Sequence, residues 1–299
     1  MRILVLGSEG FIGSHFRDFF LQNKIDIVGL DLFEQPSKPY KYIKVSRLSP
    51  EFEEAFQQYS FDVAINAAGS GNVGYSMSHP LSDFEANCLD VIRVLDILRK
   101  FQPECRYIHL SSAAVYGNPA HLPVREEHPL QPLSPYGWHK LVSEQLCREY
   151  TSIFHLRTAI IRPFSVYGPG LKKQLFWDIH QKLLAATGKI ELSGTGNESR
   201  DFIYIGDMVK AVDLIIRKGA LQGECYNIAS GAECTIEKAV KTFIEATGIQ
   251  AGCFFNGKVR EGDPLNWRAD ISKLTLLGFK PDVELQQGLK LVANWMQTL

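Results

Sequence analysis

The chain has 299 residues, 45% of them hydrophobic and 22% charged, with a formal net charge of −1. That length is ample for a packed core in one large domain or two fused ones. The balanced charge excludes a strongly basic nucleic-acid binder, and the apolar content excludes an acidic disordered chain.

In chain order, short apolar runs alternate with longer amphipathic stretches. Residues 3–6, 25–30, 63–65, 107–110 and 158–161 read as strands, and 11–21, 51–59, 83–101 and 135–151 as helices. In the 83–101 stretch, Phe84, Cys88, Val91, Ile92, Leu95 and Leu98 recur at helical spacing, so one face packs inward. Strands alternating with helices predict an α/β fold, a doubly wound parallel sheet of the Rossmann kind with right-handed crossovers. Beyond Arg162 the texture changes, with Pro163, Gly168, Pro169 and Gly170 punctuating the chain. Residues 1–162 are therefore expected to form a dinucleotide-binding domain and 163–299 mainly a smaller substrate lobe. A re-entry into the first sheet is expected near 200–230. No apolar run reaches the ~20 residues of a membrane span. The six cysteines, Cys88, Cys105, Cys147, Cys225, Cys234 and Cys253, form no CxxC pair and no zinc spacing with the eight histidines. Reduced thiols in a cytoplasmic protein are expected, and no metal.

Gly7-Ser8-Glu9-Gly10-Phe11-Ile12-Gly13 joins the first strand to the first helix with GxxGxxG spacing. Gly7 allows a tight turn, Gly10 lets a pyrophosphate approach backbone, and Gly13 lets helix and strand close up, with the helix N-terminus offering free N–H groups. Asp31, 18 residues after Gly13, ends the second strand. A carboxylate there accepts ribose hydroxyls and repels a 2′-phosphate, which favours NAD over NADP. Tyr136 and Lys140 form YxxxK behind Pro135, on one face of a helix that follows a strand ending in Ser111-Ser112. Lys140 is expected to pull the Tyr136 phenol toward neutrality, with the nicotinamide cation assisting, and to hold the nicotinamide ribose. Tyr136 then takes a hydroxyl proton as hydride leaves the same carbon.

In these motifs the chain resembles the extended short-chain dehydrogenases/reductases, in particular the NAD-dependent epimerase/dehydratase group acting on nucleotide sugars. The likeness runs through GSEGFIG, Asn66-Ala67-Ala68-Gly69, the segment from Ser111 to Gly117, YGWHK, residues 162–170, 200–207 and 226–231, and Arg260-Glu261-Gly262-Asp263. The resemblance implies Ser112 as the catalytic partner of Tyr136 and Lys140, bonded to the reacting sugar hydroxyl. It implies cofactor contacts from Gly7, Gly10, Phe11, Ile12, Gly13, Asp31, Ala67, Ala68, Gly69, Asn87, Ser111, Tyr136, Lys140 and Pro163. For the nucleotide-diphosphate sugar it implies Asn72, Ser112, Ser165, Gln174, Arg200 and Arg260, the two arginines forking onto diphosphate oxygens. Family members are commonly homodimers through a four-helix bundle, here the 83–101 and 135–151 helices; no nucleic-acid or membrane partner is implied.

Departures narrow the reaction. Members that dehydrate the sugar carry Asp-Glu after the Ser/Thr, where this chain has Ala113 and Ala114. Decarboxylating members keep the glutamate, and double-epimerase/reductase members use a cysteine near this position. A C4 epimerase, with a 4-ketoreductase or 4-dehydrogenase as the alternative, is what remains. A non-catalytic NAD sensor would have lost Tyr136, Lys140 or Ser112. Ser165 stands where Asn is usual. The Asp that contacts adenine is missing near Val45-Ser46-Arg47. Residues 171–177 either lie over the substrate nucleotide, with Lys172 and Lys173 toward phosphate, or form a packing helix with Phe176 and Trp177 in the core. The loop 71–76 is expected to border the sugar, through Asn72 or Tyr75. His139 is expected at the surface or behind the site.

Overall fold

The computed structural model describes residues 1–34, 36–46, 51–185, 188–258 and 264–299. The first part runs β1 (Arg2–Leu6), α1 (Phe11–Gln22), β2 (Asp26–Asp31), β3 (Lys41–Lys44), α2 (Glu51–Gln58) and β4 (Val63–Asn66). It continues with α3 (Val73–Ser78), α4 (Pro80–Phe84), a π turn (Glu85–Leu89), α5 (Asp90–Phe101), β5 (Arg106–Leu110), a 3₁₀ turn (Ala113–Tyr116), α6 (Pro135–Phe154) and β6 (Thr158–Pro163). Then follow β7 (Ser165–Tyr167), α7 (Gln174–Ala185), β8 (Lys189–Leu192), β9 (Ser199–Tyr204), α8 (Ile205–Lys218) and β10 (Gln222–Ile228). The chain closes with β11 (Glu233–Thr235), α9 (Ile236–Thr247), β12 (Gly252–Phe255), α10 (Ser272–Leu276) and α11 (Leu285–Met296).

Seven strands form one parallel sheet in the order β10-β6-β5-β4-β1-β2-β3. Its strands are apolar on both faces because both are covered. Ile3 and Val5 point toward Phe16, Phe20, Met208 and Val212 of α1 and α8. Leu4 and Leu6 point toward Val94, Leu95 and Leu98 of α5. β10 pairs with β6, and α8 packs on the sheet beside α1, so the chain crosses between the lobes more than once. The second lobe gathers Phe176, Phe202, Phe243 and Leu289 around the short β11-β9-β7 sheet.

Two expectations change. The 83–101 stretch is not one helix: a π turn divides α4 from α5. The extra residue in that turn carries Asn87 to a buried position beside Gly69. β3 was invisible as alternation, because Lys41 and Lys44 bracket only Tyr42 and Ile43. It is an edge strand, and charges there protect the unpaired side. All six cysteines are unpaired. No helix among the described residues is long and apolar enough to cross a membrane.

Candidate active site

The glycine turn lies at the end of β1, where Gly7 N–H donates to Leu30 O at 2.8 Å. Gly10 caps α1 with no side-chain bond, leaving the helix N-terminus open. A Cβ on Gly13 would lie 1.9 Å from the Gly7 carbonyl oxygen. Gly13→Ala is therefore expected to prise α1 from the turn, at a cost of at least about 2 kcal/mol, and to abolish dinucleotide binding. Thermal unfolding and NAD titration check this, and an unchanged melting temperature would contradict it.

Asp31 ends β2 facing this turn. Its Oδ2 accepts Glu9 N–H at 2.8 Å and its Oδ1 accepts Leu32 N–H at 2.7 Å. Behind it, the Glu9 carboxylate receives buried Arg17, Tyr40 and the Ser37 N–H, so the loop after β2 is tied to the glycine turn. The expected lack of an adenine-contacting Asp falls partly outside the described residues, because Arg47 is among those not described. Val45 N–H donates to Asp31 O.

Along the sheet, Ala67 N–H bonds Leu6 O, and Ala68 N–H bonds the Asn66 side chain. Gly69, at φ +118°, faces Asn87, whose Oδ1 lies 2.7 Å from where a Gly69 Cβ would be. Asn87 is 1% exposed, and neither its amide oxygen nor its nitrogen has a hydrogen-bond partner. A buried amide left open next to side-chain-free backbone is what a planar polar ligand would complete. The open glycine turn with Asp31, Gly69 and the unpartnered Asn87 amide therefore fits a dinucleotide.

At the end of β5 the Ser112 hydroxyl caps the 3₁₀ turn, accepting Ala114 N–H at 3.2 Å, and also bonds the Tyr136 phenol. Tyr136 starts α6, which Ser134 caps through Gly137 N–H and Pro135 opens. Lys140, one turn on, is buried, donates to Leu110 O at 2.9 Å and stands 6.0 Å from the Tyr136 ring centroid. Ser112, Tyr136 and Lys140 are thus brought together. Burial pushes the Tyr136 phenol up, the Ser112 hydrogen bond pulls it back, and the Asp83 carboxylate pushes it up again. Lys140 is not among these influences, and burial pushes its own ammonium down to about 8.

Other expected residues are placed as follows. Ser111 gives its hydroxyl to Glu144 at 2.6 Å, so the cofactor would meet its backbone rather than its side chain. Pro163 ends β6, buried. Asn72 caps α3 by accepting Tyr75 N–H at 2.9 Å, while Tyr75 is exposed and stacked on His79. Ser165 is half-buried on β7. Gln174 opens α7, exposed and at φ +67°. Phe176 packs on Tyr167, Phe202 and Phe243, and Trp177 on Trp295, so the packing alternative holds for these aromatics. Lys173 is the member of this segment that turns toward the loop, its Nζ 3.7 Å from where a Gly71 Cβ would be. Arg200 lies over Trp267 and donates to Ser199 O and Leu265 O. Arg260 lies outside the described residues. Among the described residues no cluster could hold a metal.

Four supports were not foreseen. Ser76 Oγ accepts the Tyr136 N–H at 3.1 Å, fastening α3 to α6. Glu144, four residues after Lys140, holds Ser111 and Arg162. Asp201 accepts from Ser230 N–H and Oγ, Gly231 N–H and Ala269 N–H, and burial pushes its carboxyl up to about 6 despite them. Asp83 accepts from His139. The i,i+4 spacing to Lys140 was the one available signal for Glu144.

This fold and its Ser–Tyr–Lys set define an extended short-chain dehydrogenase/reductase. The sequence model of the NAD dependent epimerase/dehydratase family matches residues 3–229, and the chain belongs to that family. It is 31% identical to an uncharacterized UDP-glucose epimerase of Bacillus subtilis, over 97% of this chain and 96% of that one. The UDP-glucuronic acid 4-epimerase of Bacillus cereus, solved with UDP-glucuronic acid and NAD, is 28% identical. It has a TM-score of 0.90, with 100% of this chain and 99% of that one covered. The UDP-glucose 4-epimerase of Thermotoga maritima, solved with UDP-glucose, is 26% identical at a TM-score of 0.91, with 100% and 99% covered.

Proposed function

We propose that the chain interconverts the C4 epimers of a nucleotide-diphosphate sugar, with UDP as the nucleotide favoured by its relatives, and that NAD stays bound through the cycle. NAD supplies, when bound, the acceptor and later donor of the C4 hydride. Gly7, Gly10, Phe11, Ile12 and Gly13 would hold its pyrophosphate, Asp31 its adenosine ribose, and Ala67, Ala68, Gly69 and Asn87 its middle. Lys140, Pro163 and the Ser111 backbone would meet its nicotinamide end. This part is built on residues 1–162 with the returning β10; the lobe from 163–299 would carry the sugar nucleotide.

The hydrogen bond between Ser112 and the Tyr136 phenolic oxygen, beside two alanines, carries the reading. The phenolic oxygen takes the proton from the sugar O4 and returns it after the 4-keto sugar has turned over, while the Ser112 hydroxyl steadies O4. Ala113 is fully buried and Ala114 gives only its backbone N–H to Ser112. Neither can protonate a leaving hydroxyl or deprotonate C5, which disfavours dehydration. Asn72, Ser165, Gln174, Arg200 and Arg260 are the proposed substrate contacts, the arginines for the diphosphate. Exposed Met77, Leu81, Phe84, Trp138 and Val142 on α3, α4 and α6 offer an apolar face for a homodimer. The unpaired cysteines suit a reducing, cytoplasmic setting.

The test is incubation with UDP-glucose and UDP-glucuronic acid. Formation of the C4 epimer with no net change in nicotinamide absorbance supports the proposal. Stoichiometric NADH oxidation by a 4-keto sugar would replace it with a ketoreductase. Asp31→Ala is expected to weaken NAD at least about tenfold by loss of a charge-assisted ribose contact and to narrow the preference over NADP. Cofactor titration checks this, and an unchanged preference would remove Asp31 from the ribose site.

A further inference from the structure

Glu9 stands inside the glycine turn, directly before Gly10, where a carboxylate would repel a pyrophosphate unless its charge were answered. Its side chain is 7% exposed and that of Arg17, on α1, is 3% exposed, with Arg17 Nη1 donating to Glu9 Oε1 at 2.5 Å. The other donors to this carboxylate come from the loop between β2 and β3. Ser37 N–H reaches Oε2 at 2.9 Å, and the Tyr40 hydroxyl reaches Oε1 at 2.7 Å. With its one proton so committed, the Tyr40 oxygen accepts the Ser8 hydroxyl at 2.8 Å. Arg17 Nη1 also donates to Ser37 Oγ at 2.9 Å, and the guanidinium lies 5.5 Å from the Tyr40 ring centroid. Gly29 of β2 leaves room for this cluster, since a Cβ there would lie 2.6 Å from the Tyr40 oxygen. Burial pushes the Glu9 carboxyl up, but the Tyr40, Ser37 and Arg17 hydrogen bonds outweigh it and hold the group below the ordinary carboxylate range. The backbone of the same residue turns to Asp31. Glu9 N–H donates to Asp31 Oδ2 at 2.8 Å, and Leu32 N–H donates to Oδ1 at 2.7 Å. Each Asp31 oxygen so keeps a lone pair for a further donor, and the two N–H groups fix its bearing.

We propose that Glu9 is a positioning residue for the adenosine end of the cofactor: its side chain fastens α1 and the β2–β3 loop to the glycine turn, and its N–H aims the Asp31 carboxylate at the ribose. The inference rests on the reading of Asp31 as the ribose contact and names what holds Asp31 in place. Arg17 and Tyr40 act on the cofactor through Glu9, and Glu9 through Asp31. The effect of loosening the cluster therefore depends on Asp31 being present.

The test is a double-mutant cycle read by cofactor release rather than by turnover. The full chain is loaded with NADH, and the loss of its bound fluorescence is followed on chase with excess NAD. Tyr40→Phe removes one hydroxyl from the cluster and keeps the ring beside Arg17; it should quicken release at least about fivefold. Glu9→Gln removes the charge that Arg17 answers and should quicken it at least as much. If Glu9→Gln does not fold, Tyr40→Phe, changed at a half-buried loop residue, still decides. In an Asp31→Ala background, where release is already fast, Tyr40→Phe should add less than about a further twofold. A cluster that merely stabilised the fold would give the same factor in both backgrounds. Release unchanged in a folded Tyr40→Phe protein, or quickened by the same factor with and without Asp31, overturns the proposal and leaves the ribose reading standing. Release unchanged in Asp31→Ala alone overturns the ribose reading and, with it, the role of Glu9.

Discussion

Tyr136→Phe is expected to lower kcat by about three orders of magnitude while the protein folds and binds NAD as before. The argument is local. On the proposed reading the phenolic oxygen, which Ser112 hydrogen-bonds, is the proton-transferring atom. Phenylalanine keeps the ring that Lys140 faces and removes only that oxygen. The Tyr136 N–H would still bond Ser76 and α6 would still be capped by Ser134, so the fold has no reason to change. Single-turnover kinetics alongside NAD titration check this. Near wild-type turnover would remove Tyr136 from the chemistry.

The second large effect is structural. Arg162 is fully buried and forks onto Glu144, Nε to Oε1 at 2.8 Å and Nη2 to Oε2 at 2.7 Å. Its Nη1 donates to Tyr116 Oη at 2.7 Å and to Glu126 O at 2.9 Å, and Tyr116 in turn donates to Asn227. Glu144 also receives the Ser111 hydroxyl. The network thereby joins β6, α6, the turn after β5 and β10 behind Ser112, Tyr136 and Lys140. Arg162→Met leaves Glu144 as a buried anion facing Ser111 and the more distant Arg148, and should cost about 3–5 kcal/mol. For a chain of this size that is a fall of about 10 °C in melting temperature. Arg162→Met with Glu144→Leu should recover part of the loss, since removing both charges is less harmful than removing one. Calorimetry of the two variants decides, and equal stabilities would show that the pair does not act as a unit.

How far the sequence speaks for this molecule depends on the range of the interactions involved. The glycine turn, Asp31 and the YxxxK helix are legible because each sits within a few residues of the strand or cap that positions it. The parallel sheet is legible for the same reason, through apolar runs set between amphipathic ones. The break of the 83–101 helix was not, since apolar spacing continues almost undisturbed through Asn87 and Cys88, and a π turn adds a single residue. Nor was β3, whose apolar content is two residues at a charged edge. Asp83, Glu144, Arg162 and Asp201 carried no local signal of burial. Each is a charged side chain bonded to groups between 18 and 68 residues away, through His139, Arg162, Glu144 and Ala269. The upward shift of Tyr136 has the same origin: the helix spacing puts Lys140 near the phenol, but burial and Asp83, brought by the tertiary fold, decide the direction.

The most direct measurement of the central claim is the fate of a deuterium placed at C4 of the nucleotide sugar. Hydride removal and return on bound NAD predicts a C4 epimer that keeps the deuterium at C4, with none in solvent and none in nicotinamide released from the protein. Deuterium found in released cofactor, with an unlabelled or 4-keto sugar as the product, would contradict it.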